Sequence, residues 1–213
     1  MTIEHIEKSI ADAVAGKSNL TPELLSIRGF STPTIRMLFN NLCNTGKPIT
    51  YLEIGLFCGA SFCASFNENC TSVGVEDHSQ DFSEGFDKVK QELKDNVEAF
   101  SGRGNDVKVH YADCFNMDKS VLPKIDIYSF DGFHSFDTQY KALPEFLDYM
   151  KDKFVFLCDD YSWGYVKEGT DKAMYDLTLS GKIKIEAKWV LGEGCHNHPI
   201  WHNSVAVYLI NKL

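Results

Sequence analysis

The stretch Ile49-Thr50-Tyr51-Leu52-Glu53-Ile54-Gly55-Leu56-Phe57-Cys58-Gly59-Ala60-Ser61 decides the fold. Its first half is rich in β-branched and aromatic residues and closes on an acid, and two glycines follow before the chain turns toward a helix. Glycine has no β-carbon, so at Gly55 and Gly59 the backbone can turn sharply and approach a ligand where another residue would collide. A strand, a glycine turn and a helix in this order form the opening unit of an open α/β sheet, whose ligands settle at the carboxyl ends of the strands.

Working outward, six more short β-rich runs follow: TSVGVED, VKVHYAD, IDIYSFDG, KFVFLCDD, KIKIEAKWV and SVAVYLI. The segments from Asp81 to Phe100 and from Ser135 to Met150 have the length and periodicity of crossover helices, so the first five strands are expected to form a parallel, doubly wound sheet. The last two strands are joined by the Gly-, His- and Pro-bearing loop Leu191 to Asn203, with no room for a crossover helix. An antiparallel hairpin at the sheet edge is expected, giving a mostly parallel seven-stranded, Rossmann-like α/β sheet with an antiparallel C-terminal strand.

Before the first strand the pattern is helical. Ile3, Ile6, Ile10 and Val14 recur at spacings of three and four, and a second helix begins after Thr21-Pro22 or Ser31-Thr32-Pro33. Residues 1–48 are therefore read as a helical cap on one edge of the core, and residues 49–213 as the ligand-binding domain. With 213 residues in total, one domain is expected.

Net charge is −9, and lysine and arginine form no cluster of the kind that tracks nucleic-acid phosphates, so nucleic acid is a poor candidate partner. No apolar run is long enough to cross a bilayer, and the N-terminus lacks the basic start and apolar centre of a secretory signal. The seven cysteines are odd in number and scattered, which fits reduced core thiols and a cytoplasmic compartment better than a disulfide framework. Apolar positions on the N-terminal helices leave room for a homodimer.

The strand ends are unusually acidic. Glu76 closes the second run about twenty residues beyond the glycine turn, where an acid can accept hydrogen bonds from both ribose hydroxyls of an adenosine cofactor. Taken alone, the glycines equally describe a tight turn and Glu76 a solvated strand end. The ordered set LEIGxxxGxS, VGVED, YADC, IDIYSFDGFHSF and VFLCDDYSW, across about residues 49 to 165, resembles the class I S-adenosylmethionine-dependent methyltransferases. The Asp-Gly-x-His after the fourth strand is similar to the metal-dependent sugar O-methyltransferases of macrolide biosynthesis. The resemblance implies that Glu53, Gly55, Gly59 and Ser61 hold the methionine and ribose end of S-adenosylmethionine, that Glu76 holds the ribose hydroxyls, and that Asp113 and Cys114 border the adenine. Asp113 is otherwise an ordinary N-cap or loop acid, and His78, beside the ribose acid, either borders the adenine or, as the preferred reading, is an exposed loop histidine. One departure is that Phe57 stands where many such enzymes carry a further glycine, which puts the loop conformation in doubt.

Asp131, Asp159 and Asp160 come from the ends of the fourth and fifth strands, which are neighbours in a doubly wound sheet. Three converging carboxylates repel one another, and a divalent cation such as Mg2+ would relieve the repulsion and acidify a substrate hydroxyl. Alternatively, Asp131 lies on the cofactor side while Asp159 and Asp160 cap the next segment. His134 is the candidate general base, since an imidazole can take a hydroxyl proton near neutrality, or else it fixes its own loop. Tyr161 and Trp163 are candidates for the acceptor pocket, or else belong to the core or a lid. The Cys195, His196, His198 and His202 loop fits no standard zinc spacing and is read as arching over the active-site side, where His198 or His202 can serve as base or acceptor contact.

The expected activity is methyl transfer from S-adenosylmethionine to an oxygen of a small hydroxylated, sugar- or diol-like molecule. A dinucleotide-dependent oxidoreductase is the competing enzyme reading, but it requires GxGxxG, which Phe57 denies it. A non-catalytic nucleotide-binding module keeps the fold without turnover.

Overall fold

The computed structural model describes residues 1–79, 85–102 and 105–213. Three helices open the chain: α1 (Ile3–Val14), α2 (Pro22–Leu25) and α3 (Pro33–Cys43). Each starts on a threonine whose hydroxyl accepts a backbone N–H of the first turn, and Pro22 and Pro33 occupy first-turn positions where a missing N–H costs nothing. Both proposed starts for the second helix are thus real, one opening α2 and the other α3.

The seven strands are β1 (Ile49–Ile54), β2 (Cys70–Glu76), β3 (Asp106–Tyr111), β4 (Ile125–Phe130), β5 (Met150–Cys158), β6 (Ile183–Leu191) and β7 (Val205–Lys212). They form one sheet in the order β3-β2-β1-β4-β5-β7-β6. The pairs among β1 to β5 are parallel, and β7 runs antiparallel to both β5 and β6. The terminal hairpin therefore folds inward: its second strand pairs with β5 and its first is left at the edge. Strand order reverses between β1 and β4, which leaves a crevice at their carboxyl ends.

The connecting helices are α4 (Ala60–Ala64), α5 (Phe86–Phe100), α6 (Phe136–Ala142) and α7 (Gly164–Leu179). The crossover expected from Asp81 is observed from Phe86, and residues 81–84 lie outside those described. The crossover expected over Ser135 to Met150 is helical only to Ala142. Pro144 follows at once and lacks the N–H that a further turn needs, and the chain continues to a 3-10 turn at Leu147–Tyr149.

Two apolar cores sandwich the sheet. One joins α1 to α4 to inward residues of the central strands, including Ile6, Leu38 and Phe39 with Tyr51, Val155 and Val207. The other joins α6 and α7 to the opposite face, including Leu143, Val166 and Met174 with Tyr128, Phe156 and Tyr208. The N-terminal helices thus cap a face of the sheet, not the edge expected from sequence. The reason is the shortness of α4, whose five residues leave the face over β1, β4, β5 and β7 to be covered by another part of the chain. Among the described residues no helix is long and apolar enough to cross a membrane.

Candidate active site

The crevice is floored by the end of β1. Gly55 has φ +85°, and a β-carbon there would lie 2.1 Å from the Asp131 carbonyl oxygen, so this position admits only glycine if the ends of β1 and β4 are to touch. Gly59 at φ +86° opens α4. Between them Phe57 itself takes a left-handed backbone, φ +50°. Its ring packs on Phe30 at 5.1 Å and lies under the Arg28 guanidinium at 4.7 Å. The turn that a further glycine would favour is kept by a phenylalanine held down from above.

Glu53 is fully buried. Tyr51 donates its hydroxyl to one carboxylate oxygen, and Ser61 donates to the other at 2.5 Å. Burial outweighs both bonds and raises the Glu53 carboxyl to about 7. Glu76, at the end of β2, accepts the N–H groups of Leu56 (2.7 Å) and Phe57 (2.9 Å) on one oxygen and that of His78 (2.7 Å) on the other. The first oxygen spends both lone pairs on the loop, and the second retains one for a ligand hydroxyl. The acid therefore holds the glycine loop as well as facing the cleft.

After β3, Asp113 accepts the Phe115 N–H at 2.8 Å and the Asn116 amide at 2.6 Å, closing its own turn, while it lines the cleft. Cys114 is half-buried beside it, and burial pushes its thiol up to about 12, so it stays neutral. His78 differs from the exposed loop residue expected from sequence. Only 9% of its side chain is exposed, because it stacks on Tyr111 at 5.7 Å.

The ends of β4 and β5 face each other across an imidazole. His134 Nε2 lies 3.3 Å from Asp131 Oδ1, and its Nδ1 lies 3.6 Å from Asp160 Oδ2. Asp160 has φ +52° and accepts the Asn203 side-chain amide at 2.9 Å. Among the described residues one group of three metal-type donors converges, Asp131, His134 and Asp160, with ligand atoms within 4.8 Å of one another. Asp159 is nearly buried in the same cleft wall, where it accepts the Asp160 N–H at 3.0 Å. Of the three aspartates expected to gather, two meet across His134, and the third spends one oxygen on the backbone.

Loss of water around them pushes the Asp131 and Asp159 carboxyls well above the usual range. For Asp131 the charges of Asp160, Glu53 and Glu76 add to this, and for Asp159 those of Asp131 and Asp160. Because 34% of the Asp131 side chain faces the open cleft, water screens part of that repulsion. Two carboxylates and an imidazole form a donor set of a kind that divalent cations accept.

The cleft joining these groups encloses about 490 Å3, within the ordinary range for a small-ligand site. Among the described residues six carboxylates line it, from Glu76, Asp77, Asp113, Asp131, Asp159 and Asp160, and none of the lining residues is lysine or arginine. Trp163 lines it too, with its ring edge-on to His134 at 5.1 Å. Tyr161, by contrast, is buried in the core on the opposite face of the sheet.

Sequence reasoning missed the wall made by Gly29, Phe30 and Ser31. This segment is held by Arg36, 4% exposed, whose guanidinium donates to the carbonyls of Leu25, Ile27 and Ser31 and to the Ser31 hydroxyl. The available signal was a charged residue inside the apolar stretch of α3. It also missed Asn203 as the partner of Asp160. The hairpin loop reaches the cleft through His202 and Asn203. His198 is engaged elsewhere, its Nδ1 accepting the N–H groups of Ile200 and Trp201 at 3.1 Å each.

A family model described as a methyltransferase domain matches residues 52–161, more than half of the chain. No curated protein sequence matches. Among solved structures, the methyltransferase PaMTH1 of Podospora anserina, bound to SAH, is similar at a TM-score of 0.67 and 16% identity, over 100% of this chain and 97% of that one. An O-methyltransferase from Bacillus cereus, in complex with SAH, is similar at 0.61 and 11%, over 100% and 92%. TrmN from Thermus thermophilus is similar at 0.60 and 14% over 90% of this chain, which spans only 52% of TrmN. At these identities the structural likeness is one of fold.

Proposed function

Because the chain belongs to the methyltransferase-domain family, we propose that it transfers the methyl group of S-adenosylmethionine to a hydroxyl oxygen of a small, sugar- or diol-like molecule, with a divalent cation at Asp131, His134 and Asp160. The observation that carries this reading is the meeting of those three donors in the same cleft as the glycine turn and Glu76. Two solved neighbours carry SAH, the demethylated form of the proposed cofactor, which supports the cofactor assignment.

Glu53, Gly55, Gly59 and Ser61 would hold the methionine end, Glu76 the ribose hydroxyls, and Asp113 with Cys114 the adenine side. The Gly55 turn, into which a β-carbon cannot fit, and the free lone pair on the Glu76 oxygen that meets His78 suit such a ligand. Asp131, His134 and Asp160 would hold Mg2+ or a similar cation, with Asp159 in its surroundings. When bound, such a cation supplies Lewis acidity that lowers the pKa of a coordinated hydroxyl.

In the reaction the bond from sulfur to the methyl carbon breaks as the bond from the acceptor oxygen to that carbon forms, and the hydroxyl proton leaves. A neutral imidazole offers one lone pair, so with His134 among the ligands the proton would pass to solvent, and His134 would take it only where Asp131 and Asp160 hold the cation without it. The rate gain comes mainly from positioning. Among the described residues no cationic side chain lines the cleft, which disfavours nucleic acid as acceptor.

The test is to incubate the purified protein with S-adenosylmethionine and a panel of vicinal diols, with Mg2+ or with a chelator, and to follow products by mass spectrometry. Methylated diol that disappears with chelator supports the reading. Methylated product that is insensitive to chelator overturns the metal, and cofactor binding with no transfer to any oxygen overturns O-methylation.

A further inference from the structure

A second cavity of about 600 Å3 opens beside the first and shares with it His134, Trp163, His202 and Asn203. Its outer wall is made by Tyr165 at the start of α7 and by His196 and Asn197 from the loop between β6 and β7. The reading of the main cleft does not use this annex.

The annex has a firm mounting. Trp201 is buried in the core beneath the loop, and His198 and His202 pair through their backbones. Thr32 donates its hydroxyl to the Ile200 carbonyl at 2.5 Å. The Tyr161 and Ser162 N–H groups donate to the Ser204 and Asn203 carbonyls at 3.0 and 2.8 Å, tying the loop to the segment that carries Asp160. His196 reaches across to the Ser162 hydroxyl at 3.4 Å. By contrast, Tyr165 is 70% exposed and Trp163 41% exposed, so both aromatic faces are open although the frame behind them is fixed.

The chemistry of the walls restricts the occupant. Trp163 and Tyr165 offer flat apolar faces, on which a ring can lie. Imidazoles and amides opposite offer both donors and acceptors, which suits hydroxyl groups. Among the described residues none lining either cavity is lysine or arginine, and the six carboxylates of the adjoining cleft outnumber the charges of one divalent cation, so a phosphate or carboxylate on the occupant would meet net repulsion. Because Trp163 borders both cavities and touches His134, a ring lying on its indole extends its edge toward Asp131, His134 and Asp160.

We infer that this annex is the acceptor subsite, that it takes an uncharged ring bearing vicinal hydroxyls, and that Trp163, Tyr165 and His196 set its specificity. The inference rests on the methyltransferase reading of the main cleft. The ring diol can be aromatic or a sugar, and the two are separated by experiment.

The experiment is calorimetric titration of the full-length protein, preloaded with SAH and Mg2+, with catechol, with an uncharged methyl glycoside and with a sugar phosphate. At least one neutral diol is expected to bind and the sugar phosphate not to bind. Which neutral arm binds identifies the ring. In Trp163→Ala and in Tyr165→Ala/His196→Ala the dissociation constant of that diol should rise by about fivefold or more, with SAH affinity unchanged and Trp163→Phe largely restoring binding. Tighter binding of the sugar phosphate, failure of both neutral arms in protein that binds SAH normally, or unchanged diol affinity in both variants would overturn the inference. Failure to bind SAH at all would instead strike the parent reading.

Discussion

The two halves of the cleft treat their acids in opposite ways. On the side of β1, β2 and β3, each carboxylate is met by neutral donors from its own neighbourhood: Glu53 by two hydroxyls, Glu76 by three backbone N–H groups, Asp113 by an N–H and an amide. On the side of β4 and β5, the Asn203 amide reaches Asp160 and one N–H reaches Asp159, but among the described residues Asp131 receives no such donor. There Asp131 and Asp160 face each other with His134 between them and Asp159 close behind. The first half is complete without a ligand. The second keeps like charges together, beyond what its two neutral donors offset, and is relieved further by protons or a cation. A site that must bind a cofactor in one geometry gains from the first arrangement, and a site that must respond to a reacting hydroxyl gains from the second.

The sharpest way to break the comparison is at the seam. Gly55→Ala should drive a β-carbon into the Asp131 carbonyl and cost about 4 kcal/mol or more, abolishing cofactor binding and disturbing both halves together. Urea unfolding with a titration of S-adenosylmethionine would measure this, and near-native values for both would show that the ends of β1 and β4 need not touch.

The next effect lies in the first half. The Glu53 carboxyl, near 4.5 in an unfolded chain, is raised to about 7 by burial. The folded state therefore holds the extra proton between those values, so stability falls as pH rises from about 4.5 through 7, by roughly 3 kcal/mol in total. Asp131 and Asp159, also raised, contribute in the same direction. Unfolding midpoints measured across pH for wild type and Glu53→Gln should show a shallower decline in the variant, and parallel curves would remove Glu53 from this account.

Asp160→Asn separates the halves. Loss of one donor should lower kcat/KM by on the order of 100-fold while cofactor affinity stays within about threefold. Equal losses in both would mean that the halves act as one unit. The smallest effect is expected at Phe57→Gly, which relieves the left-handed backbone but forfeits the packing against Phe30 and Arg28. The two nearly cancel, and the melting temperature should move by less than about 4 °C.

The halves also differ in how far the sequence discloses them. Strands and glycine turn are legible because β-branched runs and the Gly55 and Gly59 spacing are local signals. Glu76 is legible as a strand-end acid, but its hold on the loop depends on where Leu56 and Phe57 return in space. At the other side, Asp159 and Asp160 are adjacent and chemically equal in sequence. The left-handed backbone of Asp160 and its bond from Asn203, 43 positions away, decide which one faces His134. The wall at Gly29 to Ser31 is hidden for a similar reason, since only the folded Arg36 reveals what it holds. The shortened α6 was readable in Pro144, whereas the inward fold of β7 between β5 and β6 is a matter of long-range pairing.

The central claim is tested most directly by isothermal titration of the protein with S-adenosylmethionine, with and without Mg2+, beside Glu76→Ala and Asp160→Asn. Binding lost in Glu76→Ala and kept in Asp160→Asn, with a heat that depends on Mg2+ only where Asp160 is intact, is the expected result. No binding by the wild-type protein at high concentration, or binding untouched by Glu76→Ala, would contradict it.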